Sequence, residues 1–114
     1  MTSKRPLPTF QITFALLMLG AVVFLLHKIH QREAFLKENL YNQFSIERND
    51  YDVEFDLTQF GYLYRLEFED ETRVDYEFFV KSNQGAYVVT YYGHNSYGDS
   101  PLREDEFMTL NEGY

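Results

Sequence analysis

Seventeen consecutive residues, Phe10–Leu26, read FQITFALLMLGAVVFLL and constrain this chain more than any other stretch. Gln11 and Thr13, both near the start, are the only clearly polar members. As a helix the run rises about 25 Å, at the short end of what crosses a bilayer core. It is apolar on every side, unlike the one-sided helix of a soluble core. Phe10, Leu16, Leu17, Val22, Phe24 and Leu26 are the residues expected to meet lipid. Pro6 and Pro8 disfavour helix before it, so the helix should begin near Thr9. The rival reading is a cleaved signal peptide. Two features oppose it: the run exceeds a usual signal core, and His27-Lys28-Ile29-His30 follows it instead of small residues. Lys4 and Arg5 favour a cytoplasmic N-terminus, while Lys28, Arg32 and Lys37 on the other flank oppose that. The balance favours the C-terminal part outside the cell.

From His27 to about Phe44 the spacing remains helical. Ile29, Leu36, Leu40 and Phe44 share a stripe, and Arg32, Glu33, Lys37 and Glu38 supply polar positions. No Gly or Pro separates this segment from the apolar run, so one long helix is expected. The period then changes to two. Asp50–Leu57 alternates acids with Tyr51, Val53, Phe55 and Leu57, the pattern of a half-buried strand. Tyr62–Glu69, Arg73–Lys81 and Ala86–Tyr92 are the next three strands. Matching the inner faces of the second and third puts Phe68 opposite Val74 and Leu66 opposite Tyr76. The outer face then pairs Glu69 with Arg73, Arg65 with Glu77 and Leu63 with Phe79, and sets Glu67 unfavourably against Asp75. Gly93–Pro101 reads as a turn-rich loop. The expected fold is α+β: a transmembrane helix continuing into an amphipathic helix that packs on a four-stranded antiparallel sheet. The divisions are residues 1–9 (flank), 10–27 (transmembrane helix), 28–45 (juxtamembrane helix), 46–101 (sheet) and 102–114 (acidic tail). Phe107, Met108 and Leu110 are the tail's substantial apolar group, fit for a short edge strand or a loose end.

Charge narrows the partners. From Ile46 onward sixteen acids stand against five Lys and Arg. Such a surface repels phosphate backbones, so no nucleic acid partner is expected. The lipid bilayer is one expected partner, and another membrane or cell-envelope protein is the other. There is no cysteine, hence no disulfide, thiolate metal site or Cys nucleophile.

The remaining constellations are weak. Asp50, Asp52, Glu54 and Asp56 start like a calcium loop, but Phe55 and Gly61 stand where that loop needs Gly and Glu. Glu67-Glu69-Asp70-Glu71 and Glu104-Asp105-Glu106 read as solvated charge. His27 and His30 have helical spacing without a third ligand nearby. His94, Ser96 and Asp99 hold the residue types of a hydrolase triad, but within one short loop, where that geometry rarely forms. No enzyme activity, cofactor or metal is therefore expected. Outward-facing Tyr87, Tyr91 and Tyr97 are ordinary strand tyrosines or stacking groups. The fourth strand is apolar on both faces, with Val88, Thr90 and Tyr92 on one and Tyr87, Val89 and Tyr91 on the other. Both sheet faces should thus be covered, the second by the tail, another subunit or a partner. Tyr87, Val89 and Tyr91 form the candidate partner surface.

The apolar run, the helix after it and the alternating strands RVDYEFFVK and AYVVTYYG, with their Gly-ended turn, resemble a family of short Gram-positive, mostly Firmicute, proteins known as domain of unknown function 3139. The resemblance implies a single-pass membrane protein with a small extracytoplasmic domain and supplies no catalytic residues. Pro6, Pro8 and the acidic tail have no counterpart in that pattern. The expected role is a non-enzymatic interaction or accessory protein at the membrane. The alternative is a surface sensor or binding module for a peptide, sugar or small ligand.

Overall fold

A computed structural model describes residues 9–112. The flank carrying Lys4, Arg5, Pro6 and Pro8 lies outside the described residues. One helix, α1, runs unbroken over Thr9–Phe44, from the first described residue onward. At 36 residues it is about 54 Å long. Its apolar half packs on nothing: Phe10, Leu16, Leu17, Val22, Phe24 and Leu26 are all exposed. The helix is long and apolar enough to cross a membrane. Its second half changes environment. Leu36 and Leu40 are fully buried, and Ile29 and Phe44 are half-buried, so the expected stripe faces the sheet. Ser45 ends the helix in the left-handed region (φ 57), and Ile46 N–H closes on Leu40 O at 3.3 Å.

Four antiparallel strands follow in meander order: β1 Tyr51–Thr58, β2 Gly61–Phe68, β3 Val74–Asn83 and β4 Ala86–Ser96. The β2–β3 register is the expected one. Leu66 faces Tyr76, Arg65 faces Glu77, Leu63 faces Phe79 and Glu67 faces Asp75. Arg65 reaches Glu77 at 3.6 Å. The Glu69–Arg73 pair does not form, because β2 ends at Phe68 and β3 begins at Val74. Arg73 instead meets Asp99 at 3.8 Å and donates to Tyr97 O. The β3–β4 turn places Gln84 and Gly85 both at positive φ, 52° and 82°, the mirror-image turn that suits the twist of a two-residue hairpin.

Two further expectations are overturned. Gly93–Ser96 is the end of β4 and not a loop. A bulge explains the longer strand: Glu77 faces Gly93 but Phe78 faces Tyr91, which leaves Tyr92 as the extra residue. Beyond it the alternation reverses, and His94 sits opposite the inward Tyr76. The tail is neither an edge strand nor loose. It forms a short helix, α2 Glu104–Met108, and a 3-10 turn over Thr109–Asn111. Phe107 is fully buried there, with ring contacts to Phe44, Phe68, Tyr76, Phe78 and Tyr91 at 5.0–6.2 Å. Helix and tail therefore cover the same inner sheet face, one at each end. The expected edge pairing is replaced by a side chain. Asn111 accepts from Tyr91 N–H and donates to Tyr91 O, both at 2.9 Å, and so satisfies the edge of β4 beside the bulge.

If Phe107 closes the core, Phe107→Ala should cost about 3–5 kcal/mol. Met108→Ala, at a residue 52 % exposed, should change stability by less than about 0.5 kcal/mol. Urea unfolding of the full chain in detergent micelles reads both. Equal costs would mean that the tail does not belong to the folded unit.

Candidate functional site

The densest polar cluster lies at the sheet end distal to the apolar run, where the β2–β3 turn meets the start of the tail. Glu71 is only 7 % exposed, the one charged residue within the core among the described residues. Such a carboxylate must be fully hydrogen-bonded. It accepts from the Tyr76 hydroxyl (2.8 and 3.0 Å to its two oxygens), from Leu102 N–H at 3.0 Å and from the Arg103 guanidinium. Arg103 N–H donates in turn to the Tyr76 oxygen at 2.9 Å. The guanidinium spans Asp70 at 3.0 Å and lies over the Phe68 ring, 4.0 Å from its centre. The Arg103 hydrogen bond holds the Asp70 carboxyl below its ordinary range. Burial alone would lower Arg103, but its bonds to Asp70 and Glu71 outweigh that and raise it. The network pins Leu102-Arg103 to the sheet and so delivers Phe107 to the core.

A second cluster follows from the bulge. Glu104 accepts from the Tyr91 hydroxyl at 2.9 Å and from His94 Nδ1–H. His94 is thus held by an acid of the tail rather than by Ser96 or Asp99, and the triad types are not assembled. Asp99 is instead the partner of Arg73. Clefts of about 330 Å³ beside Asp70, Arg73 and Leu102, and about 400 Å³ beside Tyr92, His94 and Met108, flank these clusters.

The third attachment lies at the opposite end of the sheet. The Tyr64 hydroxyl donates to Ile29 O at 2.7 Å. Arg32 donates to Val80 O at 3.0 Å, and its guanidinium stands 4.1 and 5.0 Å from the ring centres of Tyr62 and Tyr87. Cation–π contacts of this kind add about 0.5–2 kcal/mol each. Arg32 therefore fastens helix to sheet and is not merely a polar flank. Tyr87 also donates to Gln31 at 3.2 Å and packs on Phe35.

These contacts correct the candidate partner surface. Val89 and Tyr91 are buried and Tyr87 is half-buried, all beneath this chain's own helix and tail. Among the described residues the exposed tyrosines are Tyr41, Tyr92 and Tyr97. Val88 and Thr90 lie on the outer face of β4, where the Tyr92 ring sits 5.2 Å from that of Phe79. The acids divide as well. Glu71 and Glu104 are bonded inside the fold, while Glu67, Glu69, Asp105 and Glu106 remain exposed. Of the acidic ladder, Asp50 ends a 3-10 turn, Asp52 is exposed, and Glu54 and Asp56 reach Arg65 at 3.9 and 3.3 Å. No group of three His, Asp or Glu able to hold a metal occurs among the described residues. The sequence reading missed Glu71, Arg103 and Asn111 as structural groups. A faint signal existed for Arg103, the single cation after Lys81, set between apolar Leu102 and the Glu104–Glu106 acids.

Comparison with known proteins adds no assignment. No family model, curated protein or solved structure matches the chain.

Arg103→Met should cost about 3–5 kcal/mol, because it leaves the Glu71 carboxylate buried without its cation. Replacing both residues by Met should recover much of that loss. A double variant no more stable than the single one, by urea midpoint, would separate the two side chains. Alkaline pH tests the buried phenols. Burial raises Tyr51 and Tyr76 to about 12 and pushes Tyr64 and Tyr91 upward too. Each holds its proton more tightly folded than unfolded. Stability is therefore intact below pH 10 and falls as pH rises through about 12. Their phenolate absorbance should appear together with loss of the circular dichroism signal. All ten tyrosines ionising with the fold intact would contradict their burial.

Proposed function

We propose that this chain is a single-pass, membrane-anchored, non-enzymatic interaction or accessory protein, with a cytoplasmic N-terminus and an acidic extracytoplasmic domain. The observation that carries this reading is the unbroken α1: fully exposed and apolar over its first half, core-forming over its second. An exposed apolar helix surface of that size needs lipid or protein around it. A soluble domain would bury it, and a cleavable leader would not extend without a break into the helix that completes the core. The most structured polar clusters are spent on folding, which leaves surface, not chemistry, as the means of action. The proposed partners are the lipid bilayer and another membrane or cell-envelope protein, with nucleic acid disfavoured by the acidic surface. The strand pattern and the helix ahead of it support the proposed kinship with the Gram-positive family named above. A second reading, a binding module for a small ligand or peptide, draws on the cleft of about 400 Å³ beside exposed Tyr92 and His94.

Protease treatment of intact cells should remove the C-terminal domain and leave the helix in the membrane. A protected domain would reverse the orientation. Crosslinking in intact membranes should recover a defined protein partner, and recovery of none above background would overturn the accessory role.

A further inference from the structure

The attachments of sheet to helix set which end of the sheet faces the apolar run. Tyr64 is bonded to Ile29, and Arg32 to Val80, just past the last apolar residue, Leu26. The other end of the sheet is reached from the far end of the helix, where Phe44 meets Phe107 and Phe107 meets Phe68. β2 therefore runs away from the apolar run as it goes from Gly61 to Phe68, and β3 runs back toward it. Both hairpin turns, Thr58–Gly61 and Asn83–Ala86, then point back along the helix. From Leu26 to Ile29 the helix rises only about 4–5 Å. From Tyr64 back to Phe60 the strand extends about 13 Å. Even a strand steeply inclined to the helix brings that turn down to the level where the apolar run ends.

The composition of this rim matches its position. The β1–β2 hairpin tip exposes two large apolar side chains, Leu57 near the end of β1 at 52 % and Phe60 in the turn at 67 %. Neither turn contains an acid; Lys81 lies in β3 two residues before the Asn83–Ala86 turn, and Lys28 precedes Ile29, the residue bonded to Tyr64. Asp56, the nearest strand acid, is paired with Arg65 at 3.3 Å. At the opposite end Asp70 and Asp99 are paired with Arg103 and Arg73, and Glu69, Asp105 and Glu106 remain exposed. The domain is thus polarised along the helix axis, apolar and basic toward the apolar run and acidic away from it.

We propose that this rim docks on the surface of the bilayer that α1 spans, with Phe60 and Leu57 inserted at the boundary of headgroups and acyl chains and Lys28 and Lys81 among the phosphates. This rests on the membrane-anchored reading of α1. The domain then stands with its acidic end outward instead of swinging on a tether. Insertion of exposed apolar side chains beside cations is the usual means by which a surface element lies in the interface.

The chain has no Trp, so each introduced Trp reports alone. Three single variants of the full-length protein, Phe24→Trp, Phe60→Trp and Tyr97→Trp, go into phosphatidylcholine–phosphatidylglycerol vesicles whose acyl chains are brominated near the headgroup or near the end. All three sites are exposed, so the fold should tolerate the changes, and circular dichroism checks that it does. Phe24→Trp should be quenched by deep bromine. Phe60→Trp should be roughly halved or more by shallow bromine, as expected for insertion at the interface. Tyr97→Trp, at the distal end, should be unaffected. Quenching of Phe24→Trp without Phe60→Trp overturns the docking and leaves the anchor standing, as when a second copy or another protein covers the tip. No quenching of Phe24→Trp overturns the anchor and the docking with it. Equal shallow quenching of Phe60→Trp and Tyr97→Trp overturns the orientation. In the Phe60→Trp background, Leu57→Asn should reduce the quenching, and an unchanged signal removes Leu57 from the contact.

Discussion

The structure depends on one helix serving two environments without a break. A helix satisfies its backbone hydrogen bonds internally wherever it lies, so it passes between an apolar medium and a protein core at no cost in unpaired groups. Only the side chains must change. They do so around Lys28: before it every face is apolar, and after it apolar residues contract to the Leu36–Leu40 stripe. The sheet is built on that stripe. Because the helix is rigid, whatever fixes its first half also orients the domain.

Two sets of polar contacts convert this contact into a defined geometry. Near the apolar run, Arg32 and Tyr64 join helix and sheet through backbone carbonyls, those of Val80 and Ile29. At the far end, Glu71, Tyr76 and Arg103 fasten the tail. Between them lies an aromatic core centred on Phe107. Apolar packing supplies most of the driving force but is non-directional. The hydrogen bonds choose which packing is adopted. The same division explains why an acidic chain tolerates Asp52, Glu67 and Asp75 in successive register across three strands. Water screens that outer face, and the inner face carries the stability.

Much of this architecture was legible. Periodicity identified the helix, the four strands, the inner residues other than Leu57, which is exposed at the hairpin tip, and the β2–β3 register, because each depends on neighbours at fixed spacing. The candidate site was legible only in its residue types. Glu71 and Arg103 lie 32 positions apart, and nothing local distinguishes a carboxylate that will be buried from one that will be solvated. The bulge at Tyr92 was equally hidden. The run from Ala86 to Ser96 looks the same with or without an extra residue, yet the bulge turns His94 toward Glu104. Tyr87, Val89 and Tyr91 were recognised as needing a cover. Their cover proved to be this chain: α1 lies over Tyr87 through Phe35 and Gln31, and the tail carries Phe107 onto Tyr91.

By itself, the sequence determined the apolar run, the order of elements and the alternation that gives the sheet an inside and an outside. These are short-range properties: 1.5 Å of rise per helical residue and a two-residue repeat along a strand leave few alternatives. Tertiary structure alone decided that the tail closes the core, that Arg32 is a fastener, and that both hairpin turns point back along the helix. Each of these depends on contacts between residues far apart in the chain, and those contacts exist only once the helix has chosen its place on the sheet.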